Sequence, residues 1–214
     1  ALEWFDESLE FEPFRKGIAT ISAPQWERRN LTSCILKLED LIDELIEEEK
    51  FPVVIGGEHI LTLGNIRGVL KHYNDISCLI LDAHADLRDD YDKTNLSHAC
   101  VTRRILELGL KSVVEVGVRS LSREEHEFIS SGNSIKVIKA RDYLRDEKFF
   151  IDSILNLLSD NVFISIDGDA FDPSTLPMVG TPEPGGLLWY NVINLLEEIF
   201  THKNIVGCDL VEVL

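Results

Sequence analysis

A mostly parallel β-sheet covered by helices on both faces is the fold class the chain predicts, on three observations. Short apolar runs of strand length alternate with amphipathic segments at helical spacing from Val53 onward. The runs are apolar at consecutive positions, as in strands buried on both faces. Three of them end in side chains able to hold an ion, and parallel sheets gather ligands at the carboxyl ends of their strands. In order, helical spacing predicts a helix over 31–50, and a first apolar run gives a strand over 53–56. Gly56-Gly57 turns the chain into a helix over 60–72, and the run Cys78-Leu79-Ile80-Leu81 gives a strand over 78–82. Helices over 101–108 and 123–130 bracket a strand over 113–117, and a strand over 135–138 precedes a helix over 149–158. Val162-Phe163-Ile164-Ser165-Ile166 opens a strand over 162–167; the proline- and glycine-rich stretch Gly180 to Gly186 turns into a helix over 189–200, and a last strand covers 205–209. This alternation makes βαβ units.

At 214 residues the chain is long enough for one sizeable core, and with no repeat or low-complexity linker a single domain over 1–214 is the economical expectation. No stretch approaches the roughly 20 apolar residues of a membrane helix, and the first thirty residues lack a signal-peptide pattern, so a cytoplasmic location is expected. Cys34, Cys78, Cys100 and Cys208 are scattered without a CxxC pair, which points to reduced thiols. The net charge of -17 argues against nucleic acid or an anionic membrane as partner and suits a small cationic substrate, although runs such as Glu47-Glu48-Glu49 read mainly as solvated surface.

The three strand ends are Gly56-Gly57-Glu58-His59, Asp82-Ala83-His84-Ala85-Asp86 and Asp167-Gly168-Asp169. In extended chain, residues i and i+2 project to one side, so Asp82 with His84, and Asp167 with Asp169, are expected to converge. Several unpaired carboxylates are very costly to bury, and a divalent cation offsets that cost. The set His59, Asp82, His84, Asp86, Asp167 and Asp169 has two imidazoles, four carboxylates and no thiolate, which suits manganese ahead of magnesium, iron or zinc. Six ligands exceed what one open ion needs and suit a pair sharing a water ionised near neutral pH, hence metal-assisted hydrolysis.

GGEH, DAHAD, SIDGDAFDP and GTPEPGG, in this order and spacing, resemble the ureohydrolase family of arginases and agmatinases, with agmatinase the better match. The resemblance implies a three-layer α/β/α sandwich, two Mn2+ per chain and hydrolysis of a guanidinium group to an amine and urea. It implies one manganese on His59, Asp82, Asp86 and Asp167, and the other on Asp82, His84, Asp167 and Asp169, with Asp82 and Asp167 bridging and taking part in catalysis. Glu212, in Asp209-Leu210-Val211-Glu212-Val213, would bind the guanidinium, and His98 would pass a proton to the departing amine. Thr181 and Glu183 would line the pocket. Asp172 reads as a brace for the turn ahead of Pro173, and Arg119 as a structural or interface residue. Set against the resemblance, the chain is expected to lack the family's first strand and last helix, and the family's assemblies imply a homo-oligomer, trimer or hexamer.

The segment 89–100 lacks the asparagine- and serine-bearing loop by which arginases hold the amino-acid end of arginine, so agmatine is the expected substrate, its distal cation drawn to Asp89, Asp90 or Asp92. Arginine, guanidinobutyrate or a formimino substrate are the alternatives within the family, beside a deacetylase-like hydrolase or a catalytically silent relative. Ala99 and Cys100 depart from the pattern, as does Gly168, which is expected to loosen its strand.

Overall fold

The computed structural model describes residues 4–23 and 30–213. Among them the strands are β1 (Val53–Ile55), β2 (Ile76–Leu81), β3 (Ser112–Val118), β4 (Ile135–Lys139), β5 (Asn161–Asp167) and β6 (Asn204–Val211). All pair in parallel in one sheet, in the order β1-β6-β5-β2-β3-β4. The helices are α1 (Leu31–Glu47), α2 (Thr62–Leu70), α3 (Val101–Glu107), α4 (Arg123–Ser130), α5 (Ala140–Tyr143), α6 (Glu147–Leu157) and α7 (Trp189–His202).

Boundaries moved where local chemistry decides them. Helix α1 stops at Glu47 because Glu49 adopts a left-handed φ of 57° and the Lys50 amide turns back to the Leu45 carbonyl. Helix α6 starts two residues earlier than periodicity predicts because the Asp146 carboxylate accepts the Phe149 amide. A full capping box of Ser122 and Glu125 opens α4. Helix α5 is one turn long, too short to show a period in the sequence.

Each inner strand feeds two cores. Leu79 and Leu81 of β2, Val114 and Val116 of β3, and Val162 and Ile164 of β5 pack with Tyr143, Ile154, Leu195 and Ile199 from α5, α6 and α7. Cys78, Ile80, Val113 and Phe163 face the other way, against Ile35, Leu38 and Ile42 of α1, Ile66 of α2 and Ile105 of α3. Helix α4 joins this second side through Phe128 and Ile129, packed on Ala85, Leu87 and Val118. The result is the expected α/β/α layering. At about 1.5–3 kcal/mol for each fully buried aliphatic side chain, these two cores hold the strand ends in a fixed frame.

Candidate metal centre

The carboxyl ends of β1, β2 and β5 deliver the expected donors to one place. Gly56 and Gly57 have φ of 88° and 89°, which lets the chain reverse after β1 and start a 3-10 turn at His59. Asp82 and Asp169 lie just past the ends of β2 and β5, so pleat geometry is not what aligns them. Each pair converges instead through a side-chain-closed turn. The His84 amide donates to Asp82 Oδ1 at 2.6 Å, and the Asp169 amide donates to Asp167 Oδ1 at 2.8 Å. Gly168 accordingly falls in the 3-10 turn Gly168–Ala170 and does not loosen a strand. Under Asp82 the backbone passes close to β3: a Cβ on Gly117, which has φ of 108°, would sit 2.9 Å from the Asp82 carbonyl oxygen.

His59 is fully buried. Its Nδ1 lies 3.1 Å from Asp82 Oδ2, 3.2 Å from Asp167 Oδ2 and 3.4 Å from Asp86 Oδ2. One nitrogen cannot donate to three carboxylates, and neither His59 Nδ1 nor Asp82 Oδ2 has a hydrogen-bond partner of acceptable geometry. Donor atoms about 2.1 Å from a shared octahedral ion stand about 3 Å from one another, so this spacing suits a common ion. A second group adjoins it: His84 Nδ1 lies 3.0 Å from Asp169 Oδ2 and 3.6 Å from Asp82 Oδ1. The two groups able to hold a metal ion are therefore His59, Asp82 and Asp86, and Asp82, His84 and Asp169, with Asp82 offering one oxygen to each. Asp167 Oδ2 stands 3.2 Å from His59 Nδ1 at the edge of the first group, and Asp167 belongs to neither set as the side chains stand.

Burial drives the Asp86 and Asp167 carboxyls up, and the charge of Asp82 adds to the rise. Burial acts on Asp82 in the same sense, but His59 and His84 outweigh it and hold its carboxyl below the usual range. For the imidazoles burial pulls downward, and the surrounding carboxylates reverse it, taking His84 to about 11. Without a cation the cluster is a set of competing charges in a dry place.

Above the groups opens a cavity of about 440 Å3, lined among others by His98, Glu212, Thr181, Glu125, Arg88 and Tyr91. Glu212 takes a left-handed φ of 54°, and its Oε1 accepts the His59 amide at 2.9 Å. His98 Nδ1 lies 3.1 Å from Glu58 Oε1, which also accepts the His98 amide, and Tyr91 meets the imidazole edge-on. The Glu58 carboxylate holds the His98 pKa above its usual value, against burial. Thr181 Oγ1 donates to Asp169 Oδ2 at 3.0 Å. The Glu183 side chain does not line the cavity, because the residue is fixed by its carbonyl, which accepts from Arg119. The spare acids also fall elsewhere: Asp89 pairs with Arg104, and Asp90 and Asp92 are exposed away from the cavity. Glu125 does line it, with both oxygens taken by the Leu87 and Ser122 amides.

Arg119 is a clamp. Its guanidinium donates to the carbonyls of Gly117, Asp169, Ala170, Phe171 and Glu183, tying β3 to the segment after β5 and to the 180–186 stretch. Asp172 braces that stretch from the other side. Its Oδ1 accepts from the Ser174 hydroxyl and amide, and its Oδ2 from the Gly185 and Gly186 amides. The Ser174 hydroxyl, followed by these amides, holds its carboxyl down at about 2. A depressed carboxyl stabilises the fold above its unfolded pKa of about 3.9, and that contribution disappears as pH falls through about 2. We expect Asp172→Ala to lower the melting temperature at pH 6 and to converge on the parent chain in acid; an equal deficit at pH 6 and pH 2 would contradict the brace.

Glu58, Ser165 and Asp209 belong to motifs recognised in the sequence, yet their parts in the site were not legible. Ser165 and Asp209 sit on strand interiors, where a buried polar residue was the available signal, and Glu58 needs a partner 40 residues away.

Comparison with known proteins agrees with this geometry. Residues 11–214 match the Arginase family. The N(1)-aminopropylagmatine ureohydrolase of Synechocystis sp. is 36% identical over 99% of this chain and 70% of its own length. The agmatinase of Pyrococcus horikoshii is 40% identical over 83% of this chain, which spans 63% of that protein. Among solved structures, the agmatine ureohydrolase of Thermoplasma volcanium superposes with a TM-score of 0.82 at 33% identity, covering 99% of this chain and 70% of that one. With a family match over almost its whole length and the same architecture, the chain belongs to the arginase family of ureohydrolases.

Proposed function

We propose that this chain carries the catalytic site of an agmatinase-type ureohydrolase, which hydrolyses the guanidinium of agmatine to putrescine and urea. The observation that carries the proposal is Asp82, whose two oxygens face two separate donor groups under one cavity. We assign His59, Asp82, Asp86 and Asp167 to one Mn2+ and Asp82, His84, Asp167 and Asp169 to the other; the oxygen- and imidazole-rich donor set favours manganese. When bound, two such cations would lower the pKa of a shared water toward neutrality and supply the nucleophile.

The chain's own residues do the rest. Glu212, with Oε1 engaged by the His59 amide, presents Oε2 to the planar cation and sets its central carbon over the centre. Thr181 holds the Asp169 carboxylate in register. Glu58 accepts the Nδ1 hydrogen of His98 and leaves Nε2 to hand a proton to the departing amine. The Leu87 and Ser122 amides each donate to one oxygen of Glu125, which fixes this acid in the cavity wall and leaves a lone pair on each oxygen for a cationic substrate. The exposed Trp189 and Tyr190 suit a surface covered in a homo-oligomer.

A second reading, aminopropylagmatine as substrate, is favoured by the Synechocystis relative. Urea release on manganese-loaded protein should be measured with agmatine, aminopropylagmatine, arginine and guanidinobutyrate. We expect the first two to lead by at least about 100-fold in kcat/KM, a discrimination of roughly 2.7 kcal/mol. Preference for arginine or for guanidinobutyrate would overturn the substrate assignment.

A further inference from the structure

Behind His59, on the side away from the cavity, runs a buried polar chain. His59 Nε2 lies 3.2 Å from Ser165 Oγ on β5, and Ser165 Oγ donates to Asp209 Oδ1 on β6 at 2.6 Å. Asn65 of α2 donates to Asp209 Oδ2 at 2.7 Å, and Thr62 Oγ1 stands 3.3 Å from Ser165 Oγ. All five residues are at most 2% exposed. Nothing in the hydrolysis itself uses Ser165, Asp209 or Asn65.

The proton count along this chain is constrained. A serine hydroxyl has one hydrogen, and an ionised carboxylate only accepts. At 2.6 Å, Asp209 Oδ1 claims the Ser165 hydrogen. Ser165 then turns a lone pair toward His59, so Nε2 must be the protonated nitrogen. In a neutral imidazole that leaves Nδ1 with its lone pair, and Nδ1 is the atom surrounded by Asp82, Asp86 and Asp167. A lone pair among three carboxylates is repulsive unless a cation sits between them.

We propose that Asp209, acting through Ser165, is a positioning residue that locks the tautomer of His59 and keeps Nδ1 a metal donor. Such outer partners of a ligating histidine fix ring orientation and raise its basicity, and their loss costs about 10–100-fold in metal affinity. The proposal rests on His59 being a ligand. Burial raises the Asp209 carboxyl, and the donors on its two oxygens, Ser165 on Oδ1 and Asn65 on Oδ2, oppose that rise and match an ionised carboxylate; a protonated Asp209 would reverse the relay, with Ser165 donating to Nε2 and Nδ1 carrying the hydrogen.

The test uses the full chain loaded with diamagnetic Zn2+ for 15N histidine spectra and with Mn2+ for stoichiometry by chelator competition. We expect a slowly exchanging Nε2–H on His59 in the loaded protein. Ser165→Ala and Asp209→Asn should each weaken one of two bound ions about 10–100-fold while the other holds, and Ser165→Thr, which keeps the hydroxyl, should restore it. If Asp209→Asn does not fold, Ser165→Ala and its threonine rescue decide alone. Parent-like affinity with an unchanged His59 spectrum in the variants overturns the relay, as does an Nδ1–H signal in the loaded parent. A His59→Asn variant that still binds two ions with parent affinity would instead show that His59 is no ligand, a separate failure of the metal reading.

Discussion

Asp82→Ala is expected to abolish urea release, by roughly 10^4-fold or more, the scale seen when one member of a catalytic unit is removed. Asp82 is the residue common to both donor groups, with Oδ2 near His59 Nδ1 and Oδ1 toward His84. Its loss removes a ligand from each group at once and releases the His84 amide that closes the turn. His84 would lose one of the two carboxylates that hold its imidazole up, the other being Asp169. Metal stoichiometry should fall together with activity, which separates this effect from a defect in substrate binding. Urea release within tenfold of the parent, or two ions still bound with parent affinity, would contradict the shared-ligand assignment. Glu212→Gln should behave differently, retaining both ions while kcat/KM for agmatine collapses.

Chelation should lower the melting temperature by roughly 10 °C. An ion present at about 1,000 times its dissociation constant stabilises the native state by about 4 kcal/mol, and each kcal/mol is worth about 2–4 °C in a domain of this size. The effect has a definite pH sign. In the metal-free protein Asp86 and Asp167 are carboxyls pushed up by burial, so the folded state binds more protons than the unfolded one and stability declines as pH rises above about 4. His59 and His84 act in the same direction: their raised imidazoles contribute stability below about 6.5 that is lost as pH rises through the folded values, for His84 about 11. Metal binding needs these ligands deprotonated and strengthens with pH. The gap between loaded and metal-free melting temperatures should therefore widen from pH 6 to pH 8. A gap that narrows over that range would contradict the cluster's electrostatics.

The parallel sheet, and the gathering of His59, Asp82, His84, Asp86, Asp167 and Asp169 at one edge of it, were legible because both depend on local sequence. Consecutive apolar residues announce β2 and β5, and His59, Asp82 and Asp167 each follow such a run within a few positions. The mechanism of convergence was not legible. A period of two places Asp82 beside His84 on paper, but the contact arises from a carboxylate accepting a backbone amide after the strand has ended. Charge alone also misled: Asp89, Asp90 and Asp92 are close in sequence to the site, yet Arg104 on α3 draws Asp89 outward. Glu183 shows the same limit, since its placement depends on Arg119, 64 residues away. Long-range pairs such as Glu58 with His98, or Asn65 with Asp209, appear only after the sheet order is known.

Arg119 has a kinetic corollary. One cation stitches the rim of the chamber at several carbonyls, so swinging that rim outward would strand a half-buried guanidinium without acceptors. The 180–186 side of the chamber is thereby pinned to β3 and to the segment after β5, and Arg119→Ala is expected to raise amide exchange along that rim ahead of the rest of the sheet.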